Sequence, residues 1–308
     1  MSGSRVVAAL LLDALLGEPP ERLHPTVWMG RTISAFEKRA LKLETATARR
    51  LAGGALALTL PVSGFILAHT VLIRLPRGLR LPVEVALIST TLSSRGLARE
   101  ALAVQKALES GDLSAARNRV GRFVGRDTGD LSEDGVALAA VESVAENTSD
   151  GIIAPMLYAF LLGAPGALAY KTINTLDSMV GHPQPPYREL GWASACLDDL
   201  ANLAPARLTV LASSAASGRP VETLSAARRY GPLTTSPNAG RVQAAFAGAL
   251  GVRLGGDNTY GGEFRKGAFL GTGEPPGHAD IRRAVGLMAR CCAFLALSTL
   301  LSDWIRCG

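Results

Sequence analysis

The chain has 308 residues, of which 48% are hydrophobic and 19% charged, and its formal net charge is +6. It is more apolar than an ordinary soluble domain, which favours a membrane protein. Only 5% of the residues are aromatic, so the apolar content favours closely packed helices over a β-sandwich. No run of Lys and Arg with interleaved aromatics occurs, so anionic lipid or phosphorylated substrates fit the charge better than nucleic acid does.

The cysteines indicate no cross-link, and the N-terminal stretch lacks the pattern of a cleaved signal peptide. Cys196, Cys291, Cys292 and Cys307 form no CxxC pair, so neither a disulfide framework nor a zinc site is predicted. The N-terminal apolar stretch, 6–16, is interrupted by Asp13 and has no small-residue cleavage site. It is therefore expected to belong to the mature protein.

The first membrane-spanning candidate is 51–73, which has about the 20 apolar residues needed to cross a bilayer and arginines on both sides. The next stretch, 81–92, is shorter and contains Glu84, so it fits either a returning hairpin arm or a helix buried in protein. Residues 94–150 are more polar, with apolar residues at helical spacing over most of their length. They are predicted to form a cytoplasmic helical insertion within one membrane domain, 1–308.

Further apolar stretches follow this insertion. Residues 152–170 are uncharged but contain Gly163 and Pro165, which is typical of a kinked span or of two half-helices. The stretch 284–305 is long enough to cross, whereas 203–216 and 242–254 are short. We predict an all-α, polytopic fold with four to six membrane-associated helices, whose orientation the scattered arginines do not fix.

The segment 140–151, AVESVAENTSDG, places Glu142 and Glu146 on one face of a predicted helix, with Asn147 and Asp150 at its expected end. Such oxygen-bearing side chains beside an apolar stretch suit Mg²⁺ or a polar substrate. A solvated, capped helix end explains the same residues equally well.

The segment 171–181, KTINTLDSMVG, places Lys171, Asn174 and either Asp177 or Ser178 on one helical stripe. Lysine suits a phosphate, and the oxygens of Asn and Asp suit hydrated Mg²⁺. The alternative is a snorkelling lysine with capping residues. The acidic pair Asp198 and Asp199 follows, and carboxylates bordering apolar runs are costly unless paired or metal-bound.

Three other features carry weaker signals. His24 follows a helix break near Glu18 and is a candidate for proton transfer, although an isolated histidine is more often structural. Arg126, in GRFVGRDT, can clamp phosphate, although an ordinary surface loop fits the composition better. The glycine-rich segment 255–262 can approach an anion, but no Walker A loop occurs.

Taken together, six blocks resemble the adenosylcobinamide-phosphate synthase family of cobalamin biosynthesis. They are DALLGEPPERLHP, GRDT, ESVAENTSDGIIAP, KTINTLDSMVGH, LDDLANLAPAR and SPNAG, the last followed by GALGVRLGG. The resemblance runs from about Leu11 to Gly262, and six blocks in one order are far more specific than a single motif. One departure is His182, where an aromatic residue is expected.

This resemblance implies a multi-pass enzyme of the inner membrane with a cytoplasmic active site. Its implied reaction uses ATP and Mg²⁺ to join a propionate carboxylate of adenosylcobyric acid to aminopropanol phosphate, or to aminopropanol, by an amide bond. An acyl phosphate is the expected intermediate. Membrane lipid and other enzymes of the pathway are the expected partners, and no nucleic acid is expected.

The residues matching the family's blocks receive roles only through the resemblance. The catalytic candidates are His24, Glu142, Glu146 and Lys171; those for substrate or phosphate are Arg31, Arg126, Asn174, Arg207 and Asn238; those for metal are Asp150, Asp177, Asp198 and Asp199.

Two rival functions remain open. A transporter for a corrinoid or small polar metabolite fits broken apolar helices with carboxylates, and would be expected to show paired repeats around a midplane site. A non-catalytic membrane scaffold predicts no nucleotide hydrolysis and tolerance of substitutions in the acidic blocks.

Overall fold

The computed structural model describes residues 3–307, except for the side chains of Tyr260, Arg306 and Cys307. It is almost entirely helical, which confirms the predicted fold class. The helices are α1 (Gly3–Leu16), α2 (Pro25–Ala40), α3 (Ala46–Arg74), α4 (Arg77–Ser89), α5 (Ser94–Glu109), α6 (Leu113–Val120), α7 (Glu133–Thr148), α8 (Ala154–Val180), α9 (Tyr187–Leu190), α10 (Trp192–Ala201), α11 (Leu203–Ser217), α12 (Pro220–Tyr230), α13 (Ala239–Leu250) and α14 (His278–Cys307). The strands are β1 (Leu254–Gly255), β2 (Asn258–Tyr260), β3 (Glu263–Arg265) and β4 (Phe269–Leu270).

The described chain divides into two compact units. The first contains the residues up to Ser93, then Ala154–Asn202, and those from Ser298 onwards. The second contains Ser94–Ile153 and Leu203–Leu297. The segment 94–150, predicted as a polar insertion, therefore lies in the second unit together with most of the C-terminal third.

The first unit is built on α3 and α8, which pack side by side. Their shared core contains Leu56 of α3, Leu176 and Val180 of α8, and Ile33 of α2. A Cβ atom on Gly53 would lie 1.8 Å from the carbonyl oxygen of Leu190, so α3 requires glycine where it approaches α9.

Three helical segments of the described chain are long and apolar enough to cross a membrane: Ala46–Arg74, Glu133–Val180 and His278–Ile305. The first confirms the candidate 51–73, and much of its apolar surface, including Leu58 and Leu67, is exposed within the chain. Exposed apolar surface on a helix of this length is what a lipid-facing span requires. Three spans are fewer than the four to six membrane-associated helices predicted.

Most of the stretch 81–92 lies in a short helix, α4, whose buried residues are Glu84 and Ile88. Helix α4 has only 13 residues and packs against α1. Its Glu84 is buried and pairs with Arg5, with 2.7 Å between Oε2 and Nη1. A carboxylate in apolar surroundings is thereby neutralised.

Helix α8 consists of two helical halves that meet at Gly163. The backbone of Gly163 has φ 71° and ψ −166°, which is outside the helical region and strained for any residue with a side chain. Pro165 follows within the first turn of the second half, where its missing N–H does no harm. The second of the two predicted alternatives, a pair of half-helices, is therefore the one observed.

The second unit packs α12 against α13, with α11 beside them, around Val210, Ala227 and Ala245. After α13, the chain folds back on itself as two short antiparallel pairs, β1 with β4 and β2 with β3. No strand was predicted from the glycine-rich sequence in this region, and these strands form part of the site described below.

Candidate functional site

Helices α8 and α10 bring together the acidic residues of two separate sequence blocks in the first unit. Burial raises the pKa of Asp198 to about 7, and the negative charge of Asp177 adds to the increase. The amides of Asn202 and Asn174 act in the opposite direction, because they favour the ionised form. Asp199 lies within electrostatic range of both carboxylates. We call Asp177, Asp198 and Asp199 the carboxylate cluster.

A chain of hydrogen bonds fixes one side of the Asp198 carboxylate. The hydroxyl of Tyr170 donates to Asn202 Oδ1 at 2.8 Å, and Asn202 Nδ2 donates to Asp198 Oδ2 at 2.9 Å. Tyr158 stacks on Tyr170 with 5.1 Å between ring centroids. The other oxygen of Asp198, Oδ1, is buried and has no hydrogen-bond partner among the described residues. A buried carboxylate oxygen in this state favours a bound cation.

Lys171 and Asn174 of the predicted stripe on α8 lie beside the carboxylate cluster. Lys171 Nζ donates to Asn174 Oδ1 at 3.5 Å, and Asn174 is one of the two amides that act on Asp198. The structure thus assembles Lys171, Asn174 and the carboxylate cluster in one unit, although the sequence separates Asp198 and Asp199 from Asn174 by more than 20 residues.

These residues fit a hydrated Mg²⁺ held with help from a substrate. Among the described residues, no group of three or more His, Cys, Asp or Glu side chains has an arrangement able to hold a metal ion on its own. However, Mg²⁺ usually keeps several waters and takes only one or two protein carboxylates together with substrate phosphates. Asp177 and Asp198 supply that smaller set. Asp150, the fourth predicted metal residue, belongs to the second unit.

In the second unit, Arg126 and Glu142 form a buried ion pair. The side chains of Arg126 and Glu142 are 10% and 4% exposed, and Arg126 Nη2 contacts Glu142 Oε2. The second oxygen, Glu142 Oε1, accepts a hydrogen bond from the Gly255 backbone N–H at 2.5 Å. Arg126 Nη1 donates to Asn258 Oδ1 at 2.6 Å. The pair therefore joins α7 to the GRDT segment and to the glycine-rich chain after α13.

This pair borders a cavity of about 300 Å³, which we call the glycine-loop cavity. A Cβ on Gly255 would lie 2.1 Å from the Ala268 carbonyl oxygen, so only glycine fits beside Glu142. Besides the ion pair of Arg126 with Glu142, the charged residues of the lining are Arg265 and Lys266, both of which are basic. The other lining residues are Leu233, Thr234, Thr235, Gln243, Gly256, Asn258, Gly267, Ala268 and Leu270.

The predicted helix end at Asn147 is confirmed to within one residue. Helix α7 ends at Thr148, and a π-helical turn, Ser149–Ile153, follows directly with Asp150 in it. Asn147 Nδ2 donates back to the Ser143 carbonyl. Glu146 Oε2 accepts from Gln243 Nε2 at 3.4 Å, so Glu146 lies near the glycine-loop cavity while Glu142 is occupied by Arg126. A π-helical turn often marks a functional position.

Arg207 and Asn238, predicted from different blocks, are in contact within the second unit. Arg207 Nη1 donates to Asn238 Oδ1 at 2.6 Å, at the start of α13. Desolvation lowers the pKa of Arg207, and the nearby positive charge of Arg241 adds to the decrease. Two cations beside a helix N-terminus form an electropositive environment.

The N-terminal block has a local structural role. His24 is the N-cap of α2, where its Nδ1 accepts a hydrogen bond from the Thr26 N–H at 3.3 Å. Its Nε2 lies 3.7 Å from Glu18 Oε2, close enough for an ion pair when the ring is protonated. Arg31 is exposed on α2.

Some residues of both sites escaped prediction. Tyr170, Gln243 and Lys266 carry no recognisable motif, and only their positions in the fold reveal them. Asn202, by contrast, stands in the block LDDLANLAPAR, four residues after Asp198 and therefore on the same helical face.

These features define a helical membrane protein with two polar sites, one rich in carboxylates and the other cationic and rich in glycine. The family model CobD/Cbib protein matches residues 6–288. The chain belongs to the CobD/Cbib family, and its role is in cobalamin biosynthesis.

Curated relatives match over nearly the whole chain. The Cobalamin biosynthesis protein CobD of Chromobacterium violaceum is 47% identical over 286 residues, which cover 92% of this chain and 90% of the relative. The protein of the same name from Stutzerimonas stutzeri is 42% identical over 301 residues, 97% of each chain. That from Synechocystis is 40% identical over 278 residues, 86% of this chain and 81% of the relative. No solved structure matches the chain with significance.

Proposed function

We propose that this chain is the ATP-dependent ligase that attaches (R)-1-aminopropan-2-ol phosphate, or aminopropanol, to the propionate carboxylate of adenosylcobyric acid. The observation that carries the proposal is the carboxylate cluster, in which Asp198 has a buried oxygen with no hydrogen bond from the described residues, beside a second carboxylate. Such a pair has a use where a cation arrives with a substrate. Membership of the CobD/Cbib family supports a role in cobalamin biosynthesis, and the carboxylate cluster supports binding of a nucleotide together with a cation.

The reaction follows from the chemistry of the two substrates. A propionate carboxylate is a poor electrophile, so one of its oxygens first attacks the γ-phosphorus of ATP, which releases ADP and forms an acyl phosphate. The amine then attacks the acyl carbon and gives up a proton. Inorganic phosphate leaves with one of the original carboxylate oxygens, and the amide remains.

We assign roles to this chain's residues on that scheme. Asp177 and Asp198 would hold Mg²⁺, which supplies charge neutralisation at the phosphates of ATP. Lys171 and Asn174 are hydrogen-bonded to each other next to the carboxylate cluster. On this scheme they orient the nucleotide, Lys171 through its positive charge and Asn174 through a polar contact. In the second unit, Glu146 is placed to bind the ammonium group of the amino alcohol or to accept the proton that the amine releases. Arg207 and Asn238 are placed to bind an anionic group.

Other assignments rest on the resemblance and the chemistry. Asp150 and Asp199 remain secondary candidates for metal binding, Arg31 for phosphate binding and His24 for proton transfer. We place the chain in the inner membrane with its active site on the cytoplasmic side, because ATP is a cytoplasmic substrate. Other enzymes of the pathway are proposed partners at that membrane.

The test is product formation by the purified protein in detergent, given adenosylcobyric acid, ATP, Mg²⁺ and aminopropanol phosphate, with detection by mass spectrometry. Asp198→Asn should reduce turnover at least about 100-fold if it removes an essential contact to the metal–nucleotide complex. Glu44→Gln, an exposed acidic control in the same unit, should match the wild type. A folded Asp198→Asn variant with normal turnover would contradict the assigned role.

Transport of a corrinoid is the second candidate, and the break at Gly163 within a possible membrane span is the observation that favours it. Uptake of labelled corrinoid into proteoliposomes without ATP, together with absence of the amide product, would replace the ligase by a transporter.

A further inference from the structure

We propose that the glycine-loop cavity is a phosphate-binding site whose cationic wall, Arg265 and Lys266, is held in place by Asp127. This inference rests on the proposed function, which supplies phosphate-bearing substrates. It adds Asp127, Arg265 and Lys266 to the residues that serve the reaction, with Asp127 as a positioning residue.

The wall is the β2–β3 hairpin and the chain that follows it. Gly261 and Gly262 form its two-residue turn with φ of 56° and 80°, the left-handed conformation that the tightest hairpin turns require. The Asp127 carboxylate accepts hydrogen bonds from both turn amides, Oδ1 from Gly261 N at 3.1 Å and Oδ2 from Gly262 N at 2.8 Å. The Asp127 N–H donates to the Thr259 carbonyl oxygen at 2.9 Å. Three hydrogen bonds thus attach one residue to the tip of the hairpin.

The neighbouring residue holds the base of the same hairpin. Arg126 Nη1 donates to Asn258 Oδ1, and Asn258 is paired with Arg265 in the β-ladder. Beyond Lys266, the Gly267 N–H donates to Asp257 Oδ1 at 3.1 Å and closes the base. Consecutive residues of the GRDT segment therefore fix both ends of the strand pair that presents Arg265 and Lys266 to the cavity.

The lining selects the class of ligand. A corrinoid is far larger than about 300 Å³, whereas a small phosphate ester, or part of a nucleotide's phosphate chain, is of suitable size. The glycines allow the backbone to approach an anion closely, and Arg265 and Lys266 supply the opposite charge. Lys266 is exposed at this wall, so a ligand reaches it from solvent. Phosphate is the shared chemistry, and its source is either the amino-alcohol phosphate or ATP.

Steady-state kinetics on purified full-length variants tests the proposal. Lys266→Gln and Asp127→Asn should each raise the KM for aminopropanol phosphate about 5- to 10-fold with kcat within about twofold, because they weaken ground-state binding. Asp127→Glu should recover part of the loss, and Asp130→Asn, an exposed neighbour, should leave both constants unchanged. A rise confined to the KM for ATP would assign the cavity to the nucleotide. Unchanged KM values for both substrates in an active enzyme would overturn the proposal.

A second readout needs no turnover. Trypsin should cut after Arg265 or Lys266 faster in Asp127→Asn than in the wild type or Asp130→Asn, and aminopropanol phosphate or ATP should slow cleavage of the wild type. Protection by a phosphate compound in a protein that forms no amide product would refute the ligase while supporting this site. Amide formation without protection by either compound, and with unchanged KM values, would refute the site while supporting the ligase.

Discussion

Two carboxylates, Glu142 in the second unit and Asp198 in the first, have different surroundings. Glu142 is bonded through one oxygen to Arg126 and through the other to the Gly255 N–H, so its charge is fully compensated. Asp198 accepts a hydrogen bond from the Asn202 amide, is repelled by the charge of Asp177, and has a pKa raised to about 7. The difference indicates that Glu142 helps to hold its unit together, whereas the ionised form of Asp198 gains stability when a positively charged ligand binds.

The comparison also alters the roles derived from resemblance. Glu142 matches a catalytic candidate, yet its compensated charge suits a residue that positions the glycine-rich chain. Asp198, a metal candidate, retains the property that a metal ligand needs, an oxygen without another partner.

The largest predicted effect is loss of the compensated pair. Arg126→Ala leaves Glu142 buried without its cation and should lower the free energy of unfolding by about 3–5 kcal/mol. Denaturant or thermal unfolding in detergent measures this loss. The control is Arg122→Ala, at an exposed arginine nearby, which should change the free energy of unfolding by less than about 0.5 kcal/mol. A loss below 1 kcal/mol for Arg126→Ala would show that the pair does not hold the unit together.

A smaller effect of opposite sign is predicted at Asp198. Because its folded pKa is raised from 3.8 to about 7, its protonated form favours the folded state, and that stabilisation is lost as pH rises from about 4 through 7. In EDTA at pH 8, Asp198→Asn should therefore be more stable than the wild type, on the order of 2–3 kcal/mol, and the advantage should vanish near pH 4. A variant less stable than the wild type at pH 8 would mean that the ionised carboxylate is already compensated.

A further prediction for Asp198 concerns the effect of Mg²⁺ on stability. At pH 8, millimolar Mg²⁺ with ATP should raise the melting temperature of the wild type by a few degrees, about 1–2 kcal/mol of linkage, and should leave Asp198→Asn almost unchanged. Equal shifts in both proteins would place the cation away from Asp198.

The smallest effect concerns the hydrogen-bond chain behind Asp198. Tyr170→Phe removes a buried 2.8 Å bond to Asn202 and should cost about 1–2 kcal/mol. Tyr230→Phe, whose ring keeps its contact with Arg229, is the matched control. If both substitutions had the same effect, the chain through Asn202 would contribute nothing to stability.

Local features were predictable from sequence, whereas contacts between distant segments were not. The span in α3 follows from its apolar length, and the interruption in α8 at Gly163 follows from glycine with proline. The bond from Gly255 to Glu142 joins residues 113 positions apart, and no periodicity encodes such a register. The β2–β3 hairpin was missed because its strands have three residues each, too few to show alternation.

Oxygen transfer from the corrinoid carboxylate tests the ligase most directly. Adenosylcobyric acid labelled with ¹⁸O in the reacting carboxylate would be incubated with the wild-type protein, ATP, Mg²⁺ and aminopropanol phosphate, and the released phosphate analysed by mass spectrometry. The ligase should transfer one ¹⁸O atom to inorganic phosphate for each amide formed, and ADP should be the nucleotide product. Label in AMP, or amide formation with no label in phosphate, would contradict activation through an acyl phosphate, and absence of amide would contradict the ligase itself.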